Sequence, residues 1–358
     1  MAKIKTIPED FVVEEILKTP LKKEGAYRVY KLTKKGLETD EAIRKVAKSS
    51  SVPSLLISYC GLKDKNAVTT QFIAVPSDKR LREPSDERIK LKEVGFLNRK
   101  LSPSLIKENK FTIKVRNAEL PDSRRVEVLR RFGIPNYYGE QRFTPVRKGA
   151  FFAELLAKGL KKEALLYLFT PAGWEGSRDR KGKKVFISGN YEEAAKYFKG
   201  WRKKVAKALA EGKSFEEAFS LIPKREIEFQ FNVFQSFLFN EWLAKEVMRR
   251  TENYLKFKYK VGFMVFPMED VGELKEREVG IFHPEKEWNI YEKVLRGRGV
   301  EVGDFLPLSC FFHPFKRRTF AEVKRLKLKK FEWGVKLSFS LPSGSYATNV
   351  VRFLYDAV

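Results

Sequence analysis

Residues 58–72 read SYCGLKDKNAVTTQF, and how they are parsed decides the fold of the first third of the chain. The run TTQFIAVP, from Thr69, alternates: Phe72 and Ala74 fall on one face, Ile73 and Val75 on the other, which is the period of a strand. Upstream, Pro53 restarts the chain into LLISYCG, a short apolar run that reads as a buried strand. Asp64, between Lys63 and Lys65, therefore falls in the connection between two strands, where functional side chains are often carried. Two readings are open. A KDK triplet is most often a solvated turn. If the segment is extended instead, both lysines point away from Asp64. They would then meet phosphates and keep the carboxylate ionised, as a nucleophile or general base requires.

Working outward, DFVVEEI and YRVYKLT carry the β-branched and aromatic residues of strands. ETDEAIRKVAKSSS reads as a helix capped by Thr39 or Asp40. FTIKVRNAEL is a further strand, and an arginine-rich helix from Asp122 stops at Gly133, a C-cap residue. From about residue 150 the texture becomes helical with basic faces. Residues 231–250 form a strongly apolar helix with Val233, Phe234, Phe237, Leu238, Trp242 and Leu243 on one broad stripe, a core pattern. Residues 254–305 turn strand-like and irregular. The tail VKLSFSLPSGSYATNVVRFL reads as strand, turn and short helix, and no internal repeat is present.

The 358 residues suggest two domains or one with a large insertion. Hydrophobic residues make up 43%, enough for a sizeable core. Lysine and arginine number 72 against 46 acids, a formal charge of +26, which points to a polyanionic partner. No apolar run approaches the ~20 residues that span a bilayer, and the start MAKIKTIPEDF lacks a signal-peptide core, so neither membrane nor export is expected. Two cysteines, Cys60 and Cys310, and two histidines, His283 and His313, make a zinc site or a Ser-His-Asp hydrolase implausible. GxxxxGK[ST] and GxGxxG are both missing, which removes the usual marks of nucleotide and dinucleotide binding. What remains is a cofactor-free enzyme acting on nucleic acid, or a binder of it. In IPNYYGEQRF, Asn136 could bond a base edge and Tyr137 or Tyr138 stack on one; the plainer reading is a turn with structural tyrosines. Tyr346 in LPSGSYATN has the same two readings.

Taken together, PEDFVVEE, GLKDKNAVTTQ, PNYYGEQRF, FNVFQSFLFN and LPSGSYATNVVR resemble the TruD family of tRNA pseudouridine synthases, in the archaeal style. The motifs run in the family's order from about Lys5 to Arg352. The resemblance implies an α+β fold: a pseudouridine-synthase core with a mixed, largely antiparallel sheet, plus an inserted α+β domain. The expected limits are 1–149 with 306–358 for the catalytic domain and 150–305 for the insertion, with helix 231–250 packed on the catalytic part. Asp64 is implied as the catalytic nucleophile or base. Phe11, Asn136, Tyr138 and Tyr346 are implied as substrate contacts. Lys5 is expected to pair with Asp64, and Lys63 and Lys65 to support it. Phe353 stands where the family often has an acid. The implied reaction turns uridine into pseudouridine in tRNA, at position 13, with no cofactor or metal, in the cytoplasm. No obligatory protein partner is inferred. Another tRNA position or another RNA is the alternative target, and a non-catalytic RNA-binding protein the distant rival.

Overall fold

The computed structural model describes residues 2–173, 175–286 and 288–356. In chain order the elements are β1 (Phe11–Leu17), β2 (Tyr27–Lys35), α1 (Thr39–Ser50), β3 (Ser58–Tyr59), β4 (Val68–Pro76), β5 (Ile89–Leu97) and β6 (Ile106–Arg116). Then come α2 (Ser123–Phe132), β7 (Ile134–Pro135), α3 (Phe152–Ala157), α4 (Lys161–Leu168), α5 (Ser177–Ile187), α6 (Tyr191–Ala195), α7 (Gly200–Ala210) and α8 (Phe215–Ser220). The long helix α9 (Lys224–Arg250), β8 (Tyr254–Tyr259), β9 (Gly262–Pro267), β10 (Glu278–Gly280), α10 (Trp288–Arg296) and α11 (Val302–Phe305) follow. The chain ends with β11 (Lys316–Arg318), β12 (Phe320–Ala321), β13 (Lys324–Phe331), β14 (Gly334–Pro342) and α12 (Ala347–Tyr355).

The chain divides into two compact units. One comprises Met1–Asn136, Met268–Asp270 and Phe320–Val358, the other Tyr137–Pro267 and Val271–Thr319. The fold is α+β. The first unit is built on an eight-stranded sheet in the order β13-β14-β6-β1-β4-β2-β5, with β3 added to β4. Neighbours are antiparallel except β1 and β4, which run parallel with Val12, Val13 and Glu14 opposite Val68, Thr69 and Thr70. Residues paired across a sheet share a face. Phe11, Val13 and Glu15 therefore stand with Thr69 and Gln71 on the side that α1 covers. There Ala42, Ile43 and Val46 pack with Tyr30, Leu32, Ile73 and Val75. Phe72 and Ala74 face the other way, into a core with Val29, Leu97, Leu101 and Leu105. The alternation read from TTQFIAVP is thus the one the sheet uses.

Several elements differ from the sequence reading. LLISYCG yields only the two-residue β3, because Ser54–Leu56 coils into a 3-10 turn that leaves Leu55 94% exposed. Helix α1 is capped at Glu38 without a side-chain bond, since the Thr39 hydroxyl is engaged elsewhere. β5 and β13 were not read as strands, and α9 begins seven residues before 231. Helix α2 does start at an Asp122 cap and stop at Gly133. Gly133 has φ 72°, and a Cβ there would lie 2.5 Å from the Ala321 carbonyl oxygen, so glycine is needed for β7 to reach β12.

In the second unit α9 is the spine. Its Phe231, Phe234, Phe237 and Leu243 are buried, and it packs on α3, β9 and α10. Around it Phe151 and Phe305 pack on Phe234, and Phe312 packs on Phe231. Tyr137 is fully buried, with its hydroxyl donating to the Val265 carbonyl at 2.8 Å and accepting from the Val265 N–H at 3.2 Å. No described helix is long and apolar enough to cross a membrane.

Candidate active site

Asp64 lies in the irregular segment between β3 and β4, its side chain 30% exposed. Lys5 Nζ donates to Asp64 Oδ2 at 2.8 Å and sits 4.1 Å from the centre of the Phe11 ring. Asp64 Oδ1 accepts no hydrogen bond among the described residues. One carboxylate oxygen is held by a cation while the other is uncommitted, the state in which a carboxylate can attack a carbon or take a proton.

Lys5 is presented by a segment pinned at two points. Upstream, the Lys3 and Arg116 main chains exchange bonds of 3.1 and 2.8 Å. Downstream, the Asp10 carboxylate is fully buried; it accepts two 2.8 Å bonds from the Arg116 guanidinium and one of 3.2 Å from the Ile7 N–H. Burial alone would raise the Asp10 pKa. The Arg116 guanidinium and the Ile7 N–H outweigh it and hold the group below its usual value. Between these points Lys5 has φ 55°, the left-handed conformation that non-glycine residues adopt rarely and that concentrates at functional sites.

Phe11 opens β1 and is buried, edge-on to Phe111, which stacks on Phe339. Parallel pairing of β1 with β4 brings the two strand starts side by side, which is why Phe11 and the Asp64 segment share one end of the sheet. The two KDK lysines part company. Lys63 folds back, placing Nζ 2.5 Å from Glu15 Oε1, a carboxylate with no solvent exposure whose Oε2 accepts from the Phe72 N–H at 2.9 Å. Lys65 is exposed. The placement of both lysines on one outward face does not occur, because Glu15 claims Lys63.

Four residues that sequence reasoning passed over shape this segment. Lys34 is fully buried and donates to the carbonyls of Leu37 at 2.7 Å, Lys63 at 3.3 Å and Asp64 at 2.9 Å. Thr39 accepts from the Lys63 N–H at 3.0 Å and donates to Gln71 Oε1 at 3.2 Å, while Gln71 Nε2 donates to the Gly61 carbonyl at 3.3 Å. Glu15 is the fourth. A signal was present: Lys34 is in phase with buried Tyr30 and Leu32, and Glu15 with Phe11 and Val13. A charge on the buried stripe of a strand needs a partner.

The structure joins Lys5, Phe11 and Asp64 in one set of contacts. Asn136, buried, follows β7; Tyr346, half-buried, precedes α12; both stand on other elements of the same unit. Tyr138 belongs to the second unit. It is 5% exposed, with the Arg317 guanidinium 4.0 Å from its ring centre and Phe239 at its edge. Its main chain is bracketed by Asn240, which accepts from the Tyr138 N–H at 2.8 Å and donates to its carbonyl at 3.0 Å. Phe353 is buried in α12, and Arg125 bonds its carbonyl and the Asp356 carboxylate.

The family model for tRNA pseudouridine synthase D (TruD) matches residues 1–270. A curated relative from Methanococcus maripaludis, probable tRNA pseudouridine synthase D 1, is 30% identical, with 97% of this chain and 98% of that protein covered. The tRNA pseudouridine synthase D of Aquifex aeolicus is 29% identical over 99% of this chain and 98% of its own. Among solved structures, a TruD crystal structure from Methanosarcina mazei superposes with a TM-score of 0.70 at 22% identity. That match covers 99% of this chain and 94% of the other, and it shows a shared fold.

Proposed function

Because the chain belongs to the tRNA pseudouridine synthase D (TruD) family and is an isomerase of that kind, we propose that Asp64 carries the isomerisation of uridine to pseudouridine in tRNA, at position 13. The observation that supports Asp64 is its geometry: Oδ2 is tied to Lys5 at 2.8 Å, and Oδ1 stands uncommitted on a partly exposed side chain.

In the reaction the N1–C1′ bond of uridine breaks, the uracil turns over, and C5 bonds C1′. The proton lost from C5 is balanced by one gained at N1, so substrate and product are isomers and no co-reactant is consumed. An ionised Asp64 can attack C1′, to be displaced when C5 bonds there, or take the C2′ proton to give a glycal and later return it. Lys5 holds Oδ2 in either route. The base must first leave its stack, at a cost of a few kcal/mol. Stacking on aromatic rings offsets roughly 1–3 kcal/mol of that per base. Phe11, Tyr138 and Tyr346 are the proposed rings, Asn136 the proposed polar contact, and Lys65 a phosphate contact. The formal charge of +26 supports a polyanionic substrate. We assign the work to the cytoplasm.

The test is to incubate the protein with unmodified total tRNA and map new pseudouridines chemically, beside Asp64→Asn and Asp64→Ala. Signal at position 13 that vanishes in both variants while tRNA binding persists is the expected result. Pseudouridine formed by Asp64→Asn would refute the assignment, and signal elsewhere would move the target. Full activity in EDTA is expected.

A further inference from the structure

Behind the KDK segment stands a lysine that the isomerisation itself does not call on. Lys34, one residue from the end of β2, is fully buried, and its ammonium is saturated by three main-chain carbonyls: Leu37, Lys63 and Asp64. Burying an ammonium is costly unless its donors are satisfied. A methionine of similar length would fill the space without that cost. What the charge adds is a grip on two consecutive peptides of the Asp64 segment, the second being that of Asp64 itself. Fixing the Asp64 carbonyl fixes the direction in which its Cα–Cβ bond leaves the main chain.

We propose that Lys34 is a positioning residue for the isomerisation: its ammonium locks the Asp64 peptide so that one carboxylate oxygen stays on Lys5 and the other stays available to substrate. The inference rests on Asp64 being the reacting acid. Thr39 and Gln71 brace the same segment from α1 and β4, so Lys34 holds one side of a segment already confined on the other.

The charge on Lys34 is itself poised. Burial is the largest influence and disfavours the ammonium; the charges of Asp64 and Glu38 favour it, and Lys63 opposes it, leaving the group pushed down to about 8. Lys63 is in turn neutralised by Glu15, and Asp64 by Lys5. Below that pH the ammonium serves all three carbonyls. Above it the neutral amine has two N–H groups and must release one, so the single-turnover rate should bend down on the alkaline side.

The experiment measures single-turnover pseudouridine formation on an unmodified tRNA transcript, across the neutral and alkaline range, for wild type, Lys34→Met, Lys34→Arg and Asp64→Asn, with tRNA affinity measured alongside. Lys34→Met should lose about 10²-fold in rate, as misplacement of a reacting group does, with tRNA affinity unchanged. Lys34→Arg should recover part of the rate and show no alkaline bend, because a guanidinium does not titrate there. A Lys34→Met enzyme at wild-type rate, a loss matched by weaker tRNA binding, or a bend that persists in Lys34→Arg would each overturn the proposal. If neither variant folds, the wild-type profile decides: a bend near pH 8 supports the proposal and a flat profile overturns it. Activity in Asp64→Asn would instead defeat the assignment of Asp64.

Discussion

Lys5 and Asp64 are 59 residues apart in sequence, yet the Lys5 ammonium donates to Asp64 Oδ2 at 2.8 Å while resting on the face of Phe11. This one cation touches both the proposed reacting acid and a proposed substrate contact. Lys5→Met should slow single-turnover isomerisation by about 10²-fold, the scale for removing a preorganised charge partner. Lys5→Arg should keep more activity than Lys5→Met, and a rapid-quench assay on tRNA would rank them.

The two lysines flanking Asp64 should fail differently. Lys63 neutralises Glu15, a carboxylate with no solvent exposure, so Lys63→Met leaves a buried charge alone and should cost about 3–5 kcal/mol of stability. A urea titration would show the shifted midpoint. Lys65 is exposed, and Lys65→Met should leave the midpoint in place. It should instead weaken tRNA binding and reduce the slope of log K against log salt by about 1.

The Asp10–Arg116 pair predicts an acid weakness. The Asp10 pKa is held below its usual 3.8 in the folded chain. Its contribution to stability is therefore complete above that value and is lost as pH falls through the lower folded-state value. Asp10→Asn should flatten this part of the stability–pH curve. Because the pair pins the Lys5 segment, the variant should also lose isomerase activity at neutral pH. Thermal melts between acidic and neutral buffers, with activity at neutral pH, check both parts.

Tyr138 should behave as a ring and not as a hydroxyl. Tyr138→Phe should keep most turnover, and Tyr138→Ala should lose about 10-fold or more, the scale of one lost base stack. Since Arg317 packs on that ring, Tyr138→Ala must be shown to be folded by circular dichroism first. Equal losses in both variants would argue against stacking.

Much of the sheet was legible because its central strands alternate cleanly. The strands missed were those whose pattern is obscured by charge. β13, KRLKLKKF, stands at the sheet edge beside β14 and carries lysines that read as a solvated run, as edge strands often do. β5, IKLKEVGFL, is buried only at its ends, Ile89 and Leu97, and offers no strong stripe. The start of α9 was not legible because KREIEFQ is polar apart from Ile227 and Phe229. At the candidate site, the place of Asp64 between two strands was legible. Lys34, Glu15 and Thr39 were not, because the bonds that tie them to the Asp64 segment and to β4 span 24 to 57 residues, and only the register of the sheet decides whether a lysine in a strand meets water or a carbonyl.

The lone parallel strand pair among the described residues, β1 with β4, ties the candidate site to correct folding. Lys5 and Phe11 sit ahead of one strand and Asp64 ahead of the other, and no local turn can bring the two together. A slip of one residue in that pairing would turn Phe11 and Glu15 to the opposite face of the sheet. The chain would remain largely apolar inside, yet Lys63 would lose its carboxylate and Lys5 its ring. Catalytic competence should therefore arise late in folding, after the long-range centre of the sheet has closed in register. The recovery of isomerase activity during refolding should lag behind the recovery of helical circular dichroism, because α1 and α9 are built from local contacts and the site is not.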